Sequence, residues 1–379
     1  MYILNEKKLQ KQIRTTVLAD MESERVGGVA VAVTQDGKTV YQECFSNEKL
    51  GIYVSENTLF RMASMTKPIT AAAILMLADR GVLDLDTPIA DFLPAFRKMY
   101  IGRMNQDIPE CIAPAQTLIT IRHLLTHSSG LGSGPVGNYI YFKLPAKERT
   151  CLARVVDYYA QNLLDFEPYS GQCYSGIHGF DVLARIVEVV SGMDYDKFLE
   201  KELFNPLEMV DTTFHPTTQQ WNRMTLMHSY ENSVGIVADF PKNSIFEGFP
   251  TTCFAGGAGL ASTLRDYKNF AAMLLNYGSF NGQQIISDNL IREMASPQLR
   301  PAIMCGPEVW GLGVRVITEE SYADLPCGAF GWSGAYGTHF WVDPVNRITA
   351  IYLKNSLYDG GSGALTARRF EQDVNGALE

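Results

Sequence analysis

Apolar positions change their period along this 379-residue chain, and the changes divide it. Residues 5–21 mix Lys and Gln with Leu and Ile at three- and four-residue spacing, which predicts a helix. The next stretch, "GGVAVAVTQDGKTVYQECFS" (27–46), holds two β-rich runs around Asp36-Gly37 and predicts a hairpin. Three more strand-like runs stand near the other end: "WGLGVRVI" (310–317), residues 334–343 and "RITAIYLKN" (347–355). Asp343-Pro344-Val345-Asn346 joins the last two as a turn, and "LTARRFEQDVNGAL" (365–378) predicts a closing helix. Between these ends the period is helical, in "TIRHLLTH" (120–127), "CLARVVDYYAQNLL" (151–164) and "GFDVLARIVEVVSGMDYDKFLEKELF" (179–204).

Short connections between the strand-like runs suit an antiparallel sheet. The expected architecture is therefore α+β: an antiparallel sheet built from both chain termini, flanked by helices, with a mainly helical lobe inserted. The α/β lobe is expected over residues 1–85 and 255–379, and the helical lobe over 86–254. Two lobes also suit a length beyond what one core usually holds, and a site would lie in the cleft between them.

Composition narrows the classes. Hydrophobic residues at 46% and charged residues at 19% are a globular balance. A net charge of −9 lacks the basic footprint that nucleic acid needs. The longest apolar stretch, Ile69–Ala78, is too short to span a bilayer. The N-terminus is charged from Glu6 onward, with no apolar h-region and no small-residue cleavage site, so a cytoplasmic location is expected. Seven cysteines (44, 111, 151, 173, 253, 305 and 327) form no CxxC pair, which predicts buried free thiols rather than disulfides or a zinc site. No metal or other cofactor is expected, and the oligomeric state stays open.

The candidate chemistry lies in "MASMTKPITAAAILMLADRG" (62–81), where Ser64 and Lys67 stand three apart at the start of an apolar helix. Residues three apart share a helix face, so the amine can reach the hydroxyl. Helix-start N–H groups favour negative charge near Ser64. A serine needs a base to become nucleophilic. A free lysine titrates near 10.4, so only about one in 2,500 is neutral at pH 7, and moving that balance to pH 7 takes roughly 4–5 kcal/mol. Burial and nearby dipoles can supply it. A surface salt bridge is the competing reading of Lys67, and local residues leave the two even. A second Ser-x-x-Lys, Ser46-Asn47-Glu48-Lys49, lies in a polar turn and reads as solvated.

Segments along nearly the whole chain resemble the serine β-lactamase and penicillin-binding superfamily. "SMTKPITAAAILMLADRGVLDLDTPIADFLP" is similar to its first motif and "TIRHLLTHSSGL" to its connecting segment. The run beginning "YSGIHGFDVLARIVEVVSG" resembles its second-motif region, while "AGGAGLASTLRDYKNFAAMLLNYG" and "GWSGAYGTHFWVDP" resemble its last helix and third motif. The resemblance is greatest to class C β-lactamases and to the β-lactamase-like (family VIII) carboxylesterases. It implies that Ser64 is the acylated nucleophile, Lys67 its base partner and Tyr174 the catalytic tyrosine. It also aligns Trp332-Ser333-Gly334 with the lactamase Lys-Thr-Gly. These three then bind substrate, and the N–H groups of Ser64 and Ala335 form the oxyanion hole. Gly334 and Gly337 are expected to let substrate approach the backbone.

Two departures bear on substrate. Trp332 removes the cation that would hold a β-lactam carboxylate, and Gly176 removes an amide side chain. An apolar indole suits a neutral ester better than an anionic lactam. The expected function is hydrolysis of small carboxylic esters through an acyl-enzyme. The alternatives are a β-lactamase, a D-amino-acid peptidase or transacylase of the same fold, and a penicillin-binding sensor that acylates without turnover. Other patterns fall away. His123 and His127 in "HLLTH" lack the Glu of a zincin and read as structural. "GSGPVG" (132–137) lacks a preceding strand, no G-x-S-x-G elbow occurs, and a triad through His339 or His178 needs a geometry that sequence does not supply.

Overall fold

The computed structural model describes residues 2–139, 143–144, 151–239, 253–303, 308–318 and 325–379. Helix α1 (Glu6–Glu22) starts where the Asn5 side chain accepts the Lys8 N–H at 3.0 Å. It runs into the predicted hairpin, β1 (Val29–Gln35) and β2 (Lys38–Phe45). Asp36 and Gly37 turn it with φ of 50° and 75°, as a two-residue hairpin loop requires. The main helices that follow are α2 (Thr66–Asp79), α3 (Leu152–Tyr159), α4 (His178–Ser191) and α5 (Leu264–Leu275). The C-terminal part adds β3 (Glu308–Trp310), β4 (Arg315–Ile317), β5 (Phe330–Ser333), β6 (His339–Asp343), β7 (Ile348–Leu353) and α6 (Leu365–Asn375).

The strands form one seven-stranded antiparallel sheet in the order β3-β4-β5-β6-β7-β1-β2, so β1 closes on β7 from the other end of the chain. This is the expected α+β, β-lactamase-like arrangement. Two strand expectations are corrected. "WGLGVRVI" is two strands, because the chain reverses at Gly311–Val314, where the Gly311 N–H donates to the Val314 carbonyl at 2.9 Å. Residues 334–338 are a turn, closed by Gly334 N–H on the Thr338 carbonyl at 2.7 Å, between β5 and a β6 that begins at His339.

Alternation along β1 shows how the sheet is covered. Val29, Val31 and Val33 face a core shared with Leu9, Ile13 and Val17 of α1 and Phe370 and Val374 of α6. Ala30 and Ala32 face the larger core, which contains Tyr267, Phe270 and Leu274 of α5. Large side chains under the two terminal helices and small ones under α5 set the thickness of each layer, and each buried aliphatic contributes about 1.5–3 kcal/mol. Helix α2 is buried along Thr66–Leu77, which explains its lack of a polar face. It packs against α4, which packs on α3.

The thiol expectation is corrected as well. Cys111, Cys151, Cys173 and Cys327 are exposed, and Cys44 and Cys253 are partly so. Cys111 lies on the exposed strand Ile108–Pro114, and Cys151 precedes α3. Cys305 lies outside the described residues.

A buried ionic group ties α6 to the sheet. The Glu371 Oε1 atom accepts from Arg315 Nη2 at 2.5 Å and lies 3.1 Å from His339 Nε2, while Arg315 Nη1 reaches Glu308 at 3.1 Å. Burial opposes the Glu371 charge, but Arg315 and His339 outweigh it and hold its pKa below the ordinary carboxylate value. A depressed folded-state pKa adds stability that is present above the unfolded value of about 4.3 and is lost as pH falls through the folded one. Chemical denaturation at a series of pH values should show this acid loss in wild type. Glu371→Gln should flatten it and cost about 3–5 kcal/mol at pH 7, since Arg315 loses its fully buried partner.

Candidate active site

The segment that carries Ser64 is held from three sides. Phe60–Arg61 pairs with Ala261–Ser262, and the Asn355 side chain brackets Arg61, accepting its N–H at 2.8 Å and donating to its carbonyl at 3.1 Å. The Tyr267 hydroxyl of α5 donates to the Met65 carbonyl at 2.8 Å. Ser64 sits in a 3₁₀ turn, Ala63–Met65, and α2 begins at Thr66, two residues later than Ser64 itself. Ala63 has φ 47°, a left-handed backbone that an alanine adopts at a cost of about 1–2 kcal/mol. The strain kinks the chain just before Ser64, which is left partly exposed while both its neighbours are buried.

Lys67 is fully buried. Its Nζ lies 3.2 Å from Ser64 Oγ, 2.6 Å from the Gly176 carbonyl oxygen and 2.8 Å from the Gly257 carbonyl oxygen. The salt-bridge reading of Lys67 is thus replaced by a carbonyl cradle. Carbonyls only accept, so they take two N–H groups of the amine in either protonation state. The third direction points at the Ser64 hydroxyl: an N–H occupies it in the ammonium and the lone pair in the neutral amine. Asp181 fixes the cradle, with Oδ1 accepting the Gly257 N–H at 3.0 Å and Oδ2 the Tyr159 hydroxyl at 3.1 Å. Burial pushes the Asp181 carboxyl up to about 6, against these hydrogen bonds and the charge of Lys67.

Tyr174 stands across Lys67, whose Nζ is 5.0 Å from the ring centroid. The Tyr174 oxygen accepts the Trp332 indole N–H at 3.3 Å. Trp332 packs on Trp310 with centroids 4.5 Å apart, and Trp310 on His127 at 4.2 Å. An aromatic wall therefore encloses one side of the site. Trp310 and the placement of His127 are additions that sequence reasoning misses. Trp310 ends the sheet's edge strand β3, and no local pattern connects it to residues 127, 174 and 332. His123 has the structural role expected of it, since its Nδ1 accepts the Thr120 N–H in a capping box.

The third-motif residues divide between two faces of the sheet. Trp332 is paired with Phe340 on the side of the larger core, and Ser333 with His339 on the side of the terminal helices. The Ser333 hydroxyl lies 2.8 Å from His339 Nδ1, beneath Glu371. Two-residue alternation sends this side chain through the sheet. His339 thus meets a serine and a carboxylate, but on the face away from Ser64 and fully buried. A Cβ on Gly334 would stand 2.3 Å from the Met62 carbonyl oxygen and 2.2 Å from Thr338 Oγ1, so this glycine lets the turn press on the segment that carries Ser64. The Thr338 hydroxyl donates to the same Met62 carbonyl at 2.9 Å. Gly337 follows suit, since a Cβ there would stand 2.1 Å from Lys354 Cε.

A profile of the β-lactamase family matches residues 13–373. The chain belongs to the β-lactamase family. Within it, the chain is 30% identical to esterase EstB of Burkholderia gladioli over 373 residues, covering 91% of this chain and 90% of that protein. It is also 30% identical to the lovastatin esterase of Penicillium rubens over 398 residues, covering 95% and 97%. Among solved structures it superposes on EstCE1, described as a hydrolase with promiscuous acyltransferase activity, with a TM-score of 0.82 and 20% identity over 98% of this chain and 99% of that one. The fold of this β-lactamase-family chain is thus shared end to end. Among its described residues no helix is long and apolar enough to cross a membrane.

The placement of Ser333 gives a direct test. Ser333→Ala should leave KM for a short-chain ester within about twofold while lowering stability by about 1–3 kcal/mol, the cost of an unsatisfied buried His339 Nδ1. A several-fold rise in KM without loss of stability would put the hydroxyl in the substrate site.

Proposed function

We propose that this chain is a serine hydrolase that cleaves small carboxylic esters through an acyl-enzyme on Ser64. The observation that carries the reading is the Lys67 cradle. Two carbonyls hold the amine so that its remaining direction faces Ser64 Oγ at 3.2 Å. In the neutral state that direction is a lone pair, which takes the serine proton as Oγ attacks the ester carbonyl. The 30% identity to two proteins named as esterases supports the choice of substrate class.

Tyr174 is the proton donor to the leaving alcohol. Its oxygen already accepts from Trp332, so its own O–H is free to donate. The proton then passes from Lys67 toward Tyr174, and water attacks the acyl-enzyme by the reverse path. Trp332 stands where the lactamases carry lysine and brings one N–H and no charge, which favours neutral esters over anionic lactams.

The oxyanion is assigned to the N–H groups of Ser64 and Ala335. Support comes from the contact of β5 with the Ala63–Met65 turn and from Thr338 and Gly334 on Met62, which bring the exposed Ala335 turn to the nucleophile. One such donor is worth about 2.7–4 kcal/mol in the transition state. A cytoplasmic location is part of the reading, and four exposed free thiols support it.

With p-nitrophenyl butyrate, Ser64→Ala should abolish turnover and Lys67→Met should lower kcat by at least about a thousandfold. A chromogenic cephalosporin should be cleaved far more slowly than the ester by wild type. Undiminished ester turnover by Ser64→Ala contradicts the assignment, and a preference for the cephalosporin contradicts the role given to Trp332.

A further inference from the structure

His127 is fully buried and belongs to no step proposed above. It nevertheless grips the chain on both sides of Tyr174. Its carbonyl oxygen accepts the Cys173 N–H at 3.0 Å, and its Nδ1 accepts the Ser175 N–H at 3.0 Å. Its ring packs against the Tyr174 ring with centroids 4.6 Å apart. A single residue can present its carbonyl and its ring nitrogen to the same loop because its φ is 56°, a left-handed conformation.

We infer that His127 is the positioning residue of Tyr174, acting as a fixed hydrogen-bond acceptor that sets where the phenol stands over Lys67. The inference rests on the role given to Tyr174 above. Because the Ser175 N–H points at Nδ1, the ring proton sits on Nε2, which meets no polar partner among the described residues and lies among Trp310, Phe180 and Tyr174. Burial, then the charge of Lys67, holds the ring well below its ordinary pKa. The imidazole therefore stays neutral, adds no second cation beside Lys67 and keeps Nδ1 as an acceptor.

Three substitutions separate the acceptor from the ring and from backbone strain. Asn places Oδ1 near the site of Nδ1 and tolerates a left-handed φ. Phe keeps the ring and loses the acceptor. Gly loses both but is free of strain. His127→Asn should keep kcat for p-nitrophenyl butyrate within about threefold of wild type, even with a lowered Tm. His127→Phe and His127→Gly should each lower kcat by at least about tenfold, with KM changed by less than about threefold.

Amide hydrogen exchange gives a readout that does not depend on turnover. Exchange at Ser175 should accelerate at least about tenfold in the Phe and Gly variants and remain slow in the Asn variant. Should the Phe variant fail to fold, the Gly variant carries the comparison. Equal losses in Asn and Gly, or unchanged Ser175 exchange in Gly, overturn the inference, as does fast exchange with full kcat. Tyr174→Phe, run alongside, tests the underlying reading separately: full activity there removes the role of Tyr174 while exchange at Ser175 still reports on the clamp.

Discussion

Everything in this molecule that bears on chemistry meets at one buried amine. Lys67 Nζ is within hydrogen-bond distance of Ser64 in the turn before its helix, Gly176 in the loop after Tyr174 and Gly257 in the segment before α5. These segments are far apart in the chain, and the amine requires an oxygen from each. An uncompensated buried amine is costly, so any displacement of one oxygen is opposed by the others. The cradle is therefore both a constraint on folding and the arrangement that leaves the third direction of the amine facing Ser64. Asp181 extends it outward by holding the Gly257 peptide.

The sheet contributes through the two faces of one short strand. On the face of β5 toward the larger core, Trp332 hydrogen-bonds the Tyr174 oxygen. On the opposite face, Ser333 joins His339, Glu371 and Arg315 beneath the C-terminal helix. The terminal helix is thus coupled to the position of the strand that walls the active site. This gives the sheet's composition from both chain ends a functional sense: β1 and β7 close the sheet, and α6 then lies where it can clamp β4 and β6.

Much of this is legible in the sequence. The switch from period two to helical period and back predicts strands at both ends and helices between, and Asp36-Gly37 announces its hairpin. Ser64, Lys67 and Tyr174 all stand out by their motifs, and the structure brings them together. What is not legible depends on directions that only packing sets. Residues 332 and 333 are neighbours in a motif, yet alternation sends one toward Tyr174 and the other through the sheet. The carbonyls of Gly176 and Gly257 have no side chain to advertise them. His127 reads as a structural histidine in a helical run, and its left-handed φ, which gives it two contacts with the Tyr174 loop, follows from no residue pattern.

The proposed role of Ser64 as nucleophile includes an adduct oxygen held by backbone N–H groups at Ser64 and Ala335. A crystal structure after reaction with an aryl alkylphosphonate tests it most directly. Phosphorus should be bonded to Ser64 Oγ, with the phosphoryl oxygen within hydrogen-bond distance of both N–H groups and Lys67 still in its cradle. Phosphorus on another residue, or a phosphoryl oxygen turned away from Ala335, would contradict it.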